Sequence, residues 1–314
     1  MQKNDITKAV LLLRAGGLVA LPTETVYGLG ADASNPEAVR KIFLAKQRPS
    51  DHPIIVHIAH VSQMTDWARD IPEQALLLAR AFWPGPLTLI LKKAPEVSSI
   101  LTGNQETIGL RIPNHPVALA VLKEFGGGIA APSANRFGRI SPTTAAAVRE
   151  ELGGAVDLVL EGGQCEVGVE STIVDLSGEC PAVLRPGMIT ADQIEAVLEQ
   201  PLLRKKKNAP RVPGALESHY APVTPVHLIP AVQLKVFLQS RTEVETFAII
   251  ALSEFNAEGM NVIKMPRNPQ WYAHDLYYVM RELDKKGLKE IIVESVPDGV
   301  EWDAVRDRLL RAAT

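Results

Sequence analysis

Two segments of the chain, Pro22-Thr-Glu-Thr-Val-Tyr-Gly-Leu-Gly30 and Lys46-Gln-Arg48-Pro49, indicate both its fold and its chemistry. The first follows a short apolar run that predicts a buried strand, and its glycines let the backbone approach a neighbour or ligand closely. The second ends a predicted helix and carries two cations one residue apart. Such a pair suits phosphate, while two exposed cations that stabilise the helix dipole explain the pattern equally well.

The composition is that of an ordinary globular protein with room for two domains. The chain has 314 residues, of which 46% are hydrophobic and 22% are charged, and single cores stop growing before this length. The formal charge of -3 argues against a broad basic surface for nucleic acid. Cys165 and Cys180 lack metal-type spacing and are expected to be small buried apolar residues. With no signal peptide or membrane-length apolar stretch, we expect a cytoplasmic protein.

Helical and strand patterns mixed along the chain predict an α/β fold of the α+β type. Predicted helices cover 6–15, 36–46, 73–82, 116–125 and 143–152. Predicted strands cover 18–21, 54–58, 87–91, 108–112, 129–131, 156–160, 171–176 and 182–185. Because the spacings vary, we expect a twisted mixed sheet flanked by helices. Residues 22–30 are expected to pass from a strand into a loop.

The composition changes near residue 200, where an exposed linker is predicted. Residues 203–213 include the basic run Arg204-Lys-Lys-Lys207, which a solvated surface explains more simply than an RNA contact. Further strands are predicted near 225–229, 247–252, 261–264 and 290–294, with helices at 231–239, 270–286 and 303–313. We therefore predict a first domain over 1–200, a linker over 201–225 and a small α/β domain over 226–314.

Several polar residues outside the two opening segments are candidates for binding. Residues 133–143 connect a strand to a helix and form a potential anion site, although Ser141 could simply cap the helix. Arg111 and Arg185 lie in or at the end of apolar strands, where a cation needs either a salt-bridge partner or a ligand anion. His57 lies within an apolar strand, and its spacing alone favours a core histidine.

Motifs of other enzyme classes are missing from the sequence. It has no Gly-x-x-x-x-Gly-Lys-Ser/Thr loop, no His-Glu-x-x-His, no Gly-x-Ser-x-Gly and no paired cysteines with metal spacing. The remaining set of cations, hydroxyls and glycines favours a reaction driven by positioning and charge neutralisation. Phosphoryl or nucleotidyl transfer fits this set better than covalent catalysis does.

The ordered motifs over residues 8–225 resemble those of the YrdC-type threonylcarbamoyl-AMP synthases. Besides the two opening segments, the motifs are Trp83-Pro-Gly-Pro-Leu-Thr88, Arg111-Ile-Pro113-Asn-His115-Pro116, Ala131-Pro-Ser-Ala-Asn135, Ser141-Pro-Thr143, Glu170-Ser-Thr-Ile173 and Arg185-Pro-Gly187. The resemblance implies a YrdC-like domain with a twisted mixed sheet.

The rest of the chain resembles the long, two-domain form of the same family. Its linker is matched by Pro213-Gly214 and Ser218-His219-Tyr220-Ala-Pro222. Leu276-Tyr277, Arg281-Glu-Leu-Asp284 and Asp307-Arg308 look like its second domain, a small Rossmann-like α/β unit. The chain departs from that pattern at Gly299-Val-Glu-Trp302, where a glycine-rich turn would be expected.

The resemblance implies an enzyme that makes threonylcarbamoyl-AMP and pyrophosphate from L-threonine, bicarbonate and ATP. The product would pass to the tRNA threonylcarbamoyltransferase machinery, which modifies the adenosine next to the anticodon. Mg²⁺ would arrive with ATP, and no protein-bound metal cage is expected. We expect neither a membrane partner nor strong direct tRNA binding, and we expect the linker to fold back over the site.

The resemblance also assigns site residues. ATP contacts would fall on Arg48, His52, Thr107, Ser133, Ser141, Arg185 and Tyr220. Threonine contacts would fall on Thr25, His57, Arg111, Ala131 and Ser171. Lys46 and Arg48 would act on the phosphates as the catalytic cations, and His57 becomes a ligand-binding residue rather than a core histidine.

Two alternatives remain at this point. A carbamoyl-adenylate-forming domain of hydrogenase maturation would share the fold, but it normally occurs beside acylphosphatase and zinc-finger modules, which the sequence does not contain. A non-enzymatic RNA-binding protein would use the basic run at 204–207, but the net charge and the lack of aromatic stacking motifs argue against it.

Overall fold

The computed structural model describes residues 3–203, 209–214, 220–239, 244–255 and 259–313. Its first part is built on a nine-stranded sheet with the spatial order β7-β1-β2-β6-β3-β5-β4-β8-β9. The strands are β1 Val19–Leu21, β2 Gly28–Asp32, β3 Ile55–His57, β4 Leu87–Lys92, β5 Thr107–Arg111, β6 Ile129–Ala130, β7 Leu158–Val159, β8 Thr172–Asp175 and β9 Ala182–Arg185.

The nine-stranded sheet is mixed, as the varied spacing predicts. Strand pairs β1–β7, β3–β5 and β4–β8 are parallel, while β1–β2, β2–β6, β3–β6, β4–β5 and β8–β9 are antiparallel. Eight helices accompany it: α1 Lys3–Arg14, α2 Pro36–Lys46, α3 Met64–Trp67, α4 Glu73–Phe82, α5 Ser99–Thr102, α6 Pro116–Phe125, α7 Ala145–Leu152 and α8 Ala191–Leu198. Apolar side chains of the sheet and helices form the main core.

A second, smaller sheet lies in the last ninety residues. Its strands are β10 Val226–Ile229, β11 Phe247–Ala251, β12 Asn261–Lys264 and β13 Glu290–Glu294, in the spatial order β10-β13-β11-β12 and all parallel. Its helices are α9 Ala231–Gln239, α10 Pro269–Asp284 and α11 Asp303–Ala312. The parallel order agrees with the expected small Rossmann-like unit. No helix in the described ranges is long and apolar enough to cross a membrane.

The two parts share a continuous apolar contact. Tyr272, Leu276 and Tyr277 of α10 belong to one buried cluster with Val26 and Ile140 of the first part. Arg281 of α10 also donates to the backbone oxygen of Ile140 at 2.7 Å and pairs with Glu151 at 2.9 Å. The C-terminal unit therefore packs directly against the loops that follow β1 and precede α7.

Helices are the elements for which sequence and structure agree best. The predicted helices 36–46, 73–82, 116–125 and 231–239 and the strands 182–185, 261–264 and 290–294 have the observed bounds. The prediction for 22–30 is wrong at its end, because Gly28 begins β2. This glycine-rich strand has weak β propensity and depends on backbone pairing with β1 and β6.

Other sequence expectations are corrected by packing. Ser141 does not cap the next helix; Thr144 does, by accepting from the N–H of Ala147. Cys165 is buried as expected, but Cys180 is exposed. The linker is not exposed throughout, since Val212 is buried in one apolar cluster with Ile173.

Helix α8 was not predicted, and a Thr190 capping box begins it. Two predicted features, the basic run at 204–207 and the linker residues 218–219, lie outside the described residues.

The burial of the central strands predicts where shortening a side chain lowers the stability of the first part most. Leu110 of β5 is fully buried, so Leu110→Ala should lower the free energy of unfolding by about 2–5 kcal/mol in chemical denaturation. Leu44 of α2 is 77% exposed, and Leu44→Ala, the matched control, should change it by less than about 0.5 kcal/mol. Equal losses in the two variants would contradict this assignment of the core.

Candidate functional site

A small cavity lies where the loops after β1 and β6 meet β3, β5, β8 and β9. Its volume is about 50 Å³. Most of the predicted site residues line it, namely Thr25, Arg48, His57, Arg111, Ala131, Ser133, Ser171, Arg185 and Tyr220. Thus residues up to 195 positions apart in the sequence, from Thr25 to Tyr220, share one enclosed space.

Arg48 brings a buried positive charge to this cavity. It follows α2, whose left-handed C-cap Gln47 turns the chain. Nη2 of Arg48 donates to the backbone oxygen of Pro53 at 2.7 Å, and its buried Nε has no hydrogen-bond partner. Burial lowers the pKa of Arg48 to about 10, so it remains charged at neutral pH. Among the described residues no carboxylate lies within salt-bridge distance, which favours an anionic ligand.

Arg185 is a second buried cation without a carboxylate partner among the described residues. It ends β9, and its Nε and Nη2 donate to the backbone oxygen of Ser171 at 3.1 and 2.9 Å. Nη2 also donates to Ser171 Oγ at 3.1 Å, and Nη1 donates to the backbone oxygen of Pro213 at 3.0 Å. Arg185 therefore orients Ser171 and joins β9 to the segment at 209–214.

Arg111 differs from these two because a carboxylate neutralises it. Nη2 of Arg111 lies 2.8 Å from Oε1 of Glu24, and both side chains are buried. The pair lacks hydrogen-bond alignment, since Arg111 Nη2 and both Glu24 oxygens have no hydrogen-bond partner. Nε of Arg111 donates to the backbone oxygen of Gly85 at 3.2 Å. The structural salt bridge that the sequence left open is thus present, and Arg111 also lines the cavity.

His57 faces the cavity as a neutral ring. Burial, and then the nearby charge of Arg111, hold the pKa of His57 well below its usual range. A neutral imidazole has one nitrogen that can accept a proton or a hydrogen bond. His57 therefore offers an acceptor beside the cation Arg111.

Hydroxyl groups and small residues form the rest of the wall. Thr23 Oγ1 donates to the backbone oxygen of Val26 at 2.6 Å and lies 2.9 Å from Thr25 Oγ1, which fixes this turn. Ser171 Oγ lies 2.8 Å from Thr88 Oγ1. The backbone N–H of Ala131 donates to the oxygen of Ile55 at 3.0 Å, so its small side chain is placed at the cavity by sheet pairing.

Lys46 does not line the cavity. Its buried Nζ donates to the backbone oxygens of Ser133 and Asn135. Burial, and then Arg48, hold the pKa of Lys46 well below its usual range. Lys46 therefore fixes the loop that carries Ser133, and its predicted action on phosphate stays a prediction.

Three more predicted ATP contacts lie behind or beside the cavity. Ser141 is fully buried and donates from Oγ to Oε1 of Glu170 at 2.6 Å. His52 packs edge-on against Phe137, with ring centroids 5.1 Å apart. Thr107 lines a separate small cavity beside Arg211. Their roles also stay predictions.

The linker residues Pro213, Gly214 and Tyr220 line one side of the cavity. Arg211 holds the linker to the first part by donating to the backbone oxygen of Gly103 at 2.8 Å and to Asp51 at 3.0 Å. Gly214 lies against Tyr220 so closely that an added Cβ would be 1.7 Å from the Tyr220 hydroxyl. The linker residues in the described ranges thus close one side of the site.

Glu24, Glu170 and Phe137 belong to the site, but the sequence did not single them out. Glu170 lines the cavity. Burial would raise the pKa of its carboxyl group, but Arg308, Arg185 and hydrogen bonds lower that pKa to about 2. The available signal was position, because Glu24 and Glu170 each directly precede a predicted threonine contact.

The buried neutral His57 predicts how stability changes with pH. In the unfolded chain a histidine binds a proton below about pH 6.5, whereas folded His57 stays neutral, so the unfolded state gains stability on acidification. The free energy of unfolding should therefore fall between about pH 7.5 and 5.5, and His57→Gln should show a shallower fall over that range. Urea titrations at each pH measure this difference, and identical slopes would contradict it.

Comparisons with known proteins agree with this geometry. A family model described as "Telomere recombination" (Sua5_yciO_yrdC) matches residues 11–187. A second model, "Threonylcarbamoyl-AMP synthase, C-terminal domain" (Sua5_C), matches residues 189–314.

Relatives matched over nearly their whole length give the same result. A Bacillus subtilis (strain 168) protein named threonylcarbamoyl-AMP synthase is 40% identical over 100% of this chain and 94% of its own length. A Pyrococcus abyssi protein of that name is 37% identical over 100% of this chain and 95% of its own. The structure "Crystal structure of P. abyssi Sua5 complexed with L-threonine" superimposes with a TM-score of 0.90 at 35% identity and covers 100% of this chain and 95% of that one. The chain therefore belongs to the Sua5 family of two-domain threonylcarbamoyl-AMP synthases, enzymes of the nucleotidyltransferase type.

Proposed function

We propose that this enzyme forms threonylcarbamoyl-AMP and pyrophosphate from L-threonine, bicarbonate and ATP. The observation that carries the proposal is the pair of buried arginines, Arg48 and Arg185, in a cavity where neither has a carboxylate partner among the described residues. Two buried cations without a carboxylate at salt-bridge distance among the described residues favour a polyanion such as a triphosphate. The full-length relatives share the corresponding name, and the similar Pyrococcus abyssi structure is described as a complex with L-threonine.

The proposed reaction has two bond-forming steps. The neutral amine of threonine forms a carbamate either by adding to carbon dioxide, with loss of the amine proton, or by adding to bicarbonate, with loss of water. One carbamate oxygen attacks the α-phosphorus of ATP, the bond to the bridging oxygen breaks, and pyrophosphate leaves with the electron pair. This sequence needs charge neutralisation at the phosphates, a site for the threonine carboxylate and protection of the labile product from water.

The cavity residues supply these requirements. Arg48 and Arg185 neutralise the triphosphate, and the free Nε–H of Arg48 is available as a donor. Arg111 binds the threonine carboxylate in competition with Glu24, since a guanidinium accommodates a carboxylate through two hydrogen bonds. Neutral His57 accepts a proton or hydrogen bond from the amine, and Ser171 binds the hydroxyl.

We assign supporting roles to the predicted nucleotide contacts that lie outside the cavity, because they orient its lining residues or lie beside them. Lys46 fixes the loop of Ser133, and Ser141 orients Glu170. His52 and Phe137 form a ring pair beside Arg48, which suits the base or ribose of a nucleotide. Thr107 lies next to Pro213 at the edge of the site.

Magnesium enters the proposal as the counter-ion of ATP. The described residues contain no group of three or more His, Cys, Asp or Glu placed to hold a metal ion, and the cavity carboxylate Glu170 is paired with arginine. When bound with ATP, magnesium would help to neutralise the phosphates.

Closure of the linker is part of the proposal. Ligand pockets usually enclose about 300–1,000 Å³, whereas this cavity has about 50 Å³. ATP therefore needs the segment of Pro213, Gly214 and Tyr220 to move outward before it binds and back afterwards. Such closure would exclude water and retain the product. We propose that the product then serves tRNA threonylcarbamoyltransferase in the cytoplasm.

Substrate specificity gives the first test. The full-length chain is incubated with ATP, bicarbonate and one amino acid at a time, and pyrophosphate release is measured. We expect pyrophosphate release with L-threonine and a rate lower by about tenfold or more with serine, because serine lacks the methyl group that the site can contact. Equal release with serine, or without any amino acid, would refute the proposed substrate.

The uncompensated cation Arg48 gives the second test. Arg48→Met should lower kcat/KM for ATP by about a hundredfold, because a preorganised donor to the phosphates is lost. Arg40→Met, the matched control on α2, removes an arginine that is exposed and pairs with Glu37, so its activity should stay unchanged. A fully active Arg48→Met variant would show that the phosphates bind elsewhere.

A further inference from the structure

A buried cluster joins the C-terminal unit to the wall of the cavity. Its centre is Glu170, a residue that directly precedes Ser171 and lines the cavity. Oε1 accepts from Ser141 Oγ at 2.6 Å, while Oε2 accepts from Arg308 Nε at 2.6 Å and from the Tyr277 hydroxyl at 3.0 Å. Arg308 lies on α11 and Tyr277 on α10, so two of these three partners come from the C-terminal unit.

Arg308 and Tyr277 also pack against the ring of Tyr220. The Arg308 guanidinium carbon lies 5.0 Å from the centre of the Tyr220 ring, a cation–π distance. The Tyr220 and Tyr277 rings are stacked, with centroids 6.0 Å apart. Tyr220 has a φ of 62°, a left-handed conformation that a tyrosine keeps only where its surroundings impose it. Arg308 and Tyr277 are among those surroundings.

Charge explains why Glu170 needs such a partner. A bare carboxylate in the wall would repel a triphosphate and would be costly to bury. Arg308 is itself fully buried, and it also donates to Asp307 Oδ2 at 2.5 Å and to the backbone oxygen of Glu170 at 3.4 Å. Its pairing with Glu170 leaves Arg48 and Arg185 as the net charge that faces the cavity.

We propose that Arg308 and Tyr277 of the C-terminal unit are positioning residues of the reaction, which hold and neutralise Glu170 so that the triphosphate can bind and Tyr220 can close the site. This inference rests on the proposed function. It gives the C-terminal unit a definite part in catalysis, because the wall of the active site is incomplete without it.

The test compares four full-length proteins: the wild type, Arg308→Met, Glu170→Gln and the double variant. Arg308→Met should raise KM for ATP by about tenfold or more, because Glu170 is left uncompensated beside the phosphates, with a smaller change in KM for threonine. The double variant should recover much of the loss, since it removes the uncompensated charge as well. A purely structural role for Arg308 would make the double variant as poor as Arg308→Met, and that result would overturn the proposal.

Two controls separate a local effect from unfolding. Arg306→Met removes an arginine from the same helix whose partners are Asp298, Asp303 and two backbone oxygens, and it should keep the wild-type KM for ATP. Tyr277→Phe keeps the ring on Tyr220 and removes only the hydrogen bond to Glu170, so KM for ATP should rise severalfold. If Arg308→Met does not fold, Tyr277→Phe decides, and a wild-type KM for ATP in it would overturn the proposal.

Calorimetric titration with ATP alone distinguishes this inference from the proposed function. If wild type binds ATP and Arg308→Met binds it equally well, the positioning role fails while the proposed function stands. If wild type shows neither ATP binding nor threonine-dependent pyrophosphate release, the proposed function fails and this inference fails with it. Weaker ATP binding by folded Arg308→Met, restored in the double variant, supports the positioning role.

Discussion

The hydrogen bonds of Glu170 with its buried partners connect the C-terminal unit to the cavity of the first part. The Glu170 carboxylate accepts hydrogen bonds from the loop before α7, from α10 and from α11, and the residue lines the cavity. A carboxylate in such a place is stable only if it is paired and hydrogen-bonded. The orientation of Ser141, the packing of Tyr220 and the contact of the C-terminal unit with the first part therefore depend on one another.

The cavity itself is defined by how its cations are compensated. Arg111 is paired with Glu24, and Arg308 is paired with Glu170. Arg48 and Arg185 instead donate to backbone oxygens, which stabilise a guanidinium without cancelling its charge. This contrast separates arginines whose charge a carboxylate already balances from arginines whose charge is open to a ligand. Arg111 can therefore bind a carboxylate only in competition with Glu24. The ammonium of Lys46 donates to the backbone oxygens of Ser133 and Asn135.

Local signals in the sequence predicted the helices well because caps and apolar periodicity act within a few residues. Pro36 at the start of α2 and Gly126 at the end of α6 are examples. The glycine-rich β2 was missed at its start because its stability comes from strands distant in the sequence. Ser141 was expected to cap a helix, but a tertiary contact with Glu170 uses its hydroxyl instead.

The sequence by itself determined the mixed sheet, the family motifs and the residue types of an anion-binding site, because these are fixed by patterns and by side-chain chemistry. Only the tertiary structure decided which arginine faces the cavity, which lysine supports a loop, and that α10 and α11 complete the wall. Those assignments depend on distances between residues far apart in the chain, such as Glu170 and Arg308. Burial decides how much these distances matter for stability, because an unpaired charge is costly only where water is excluded.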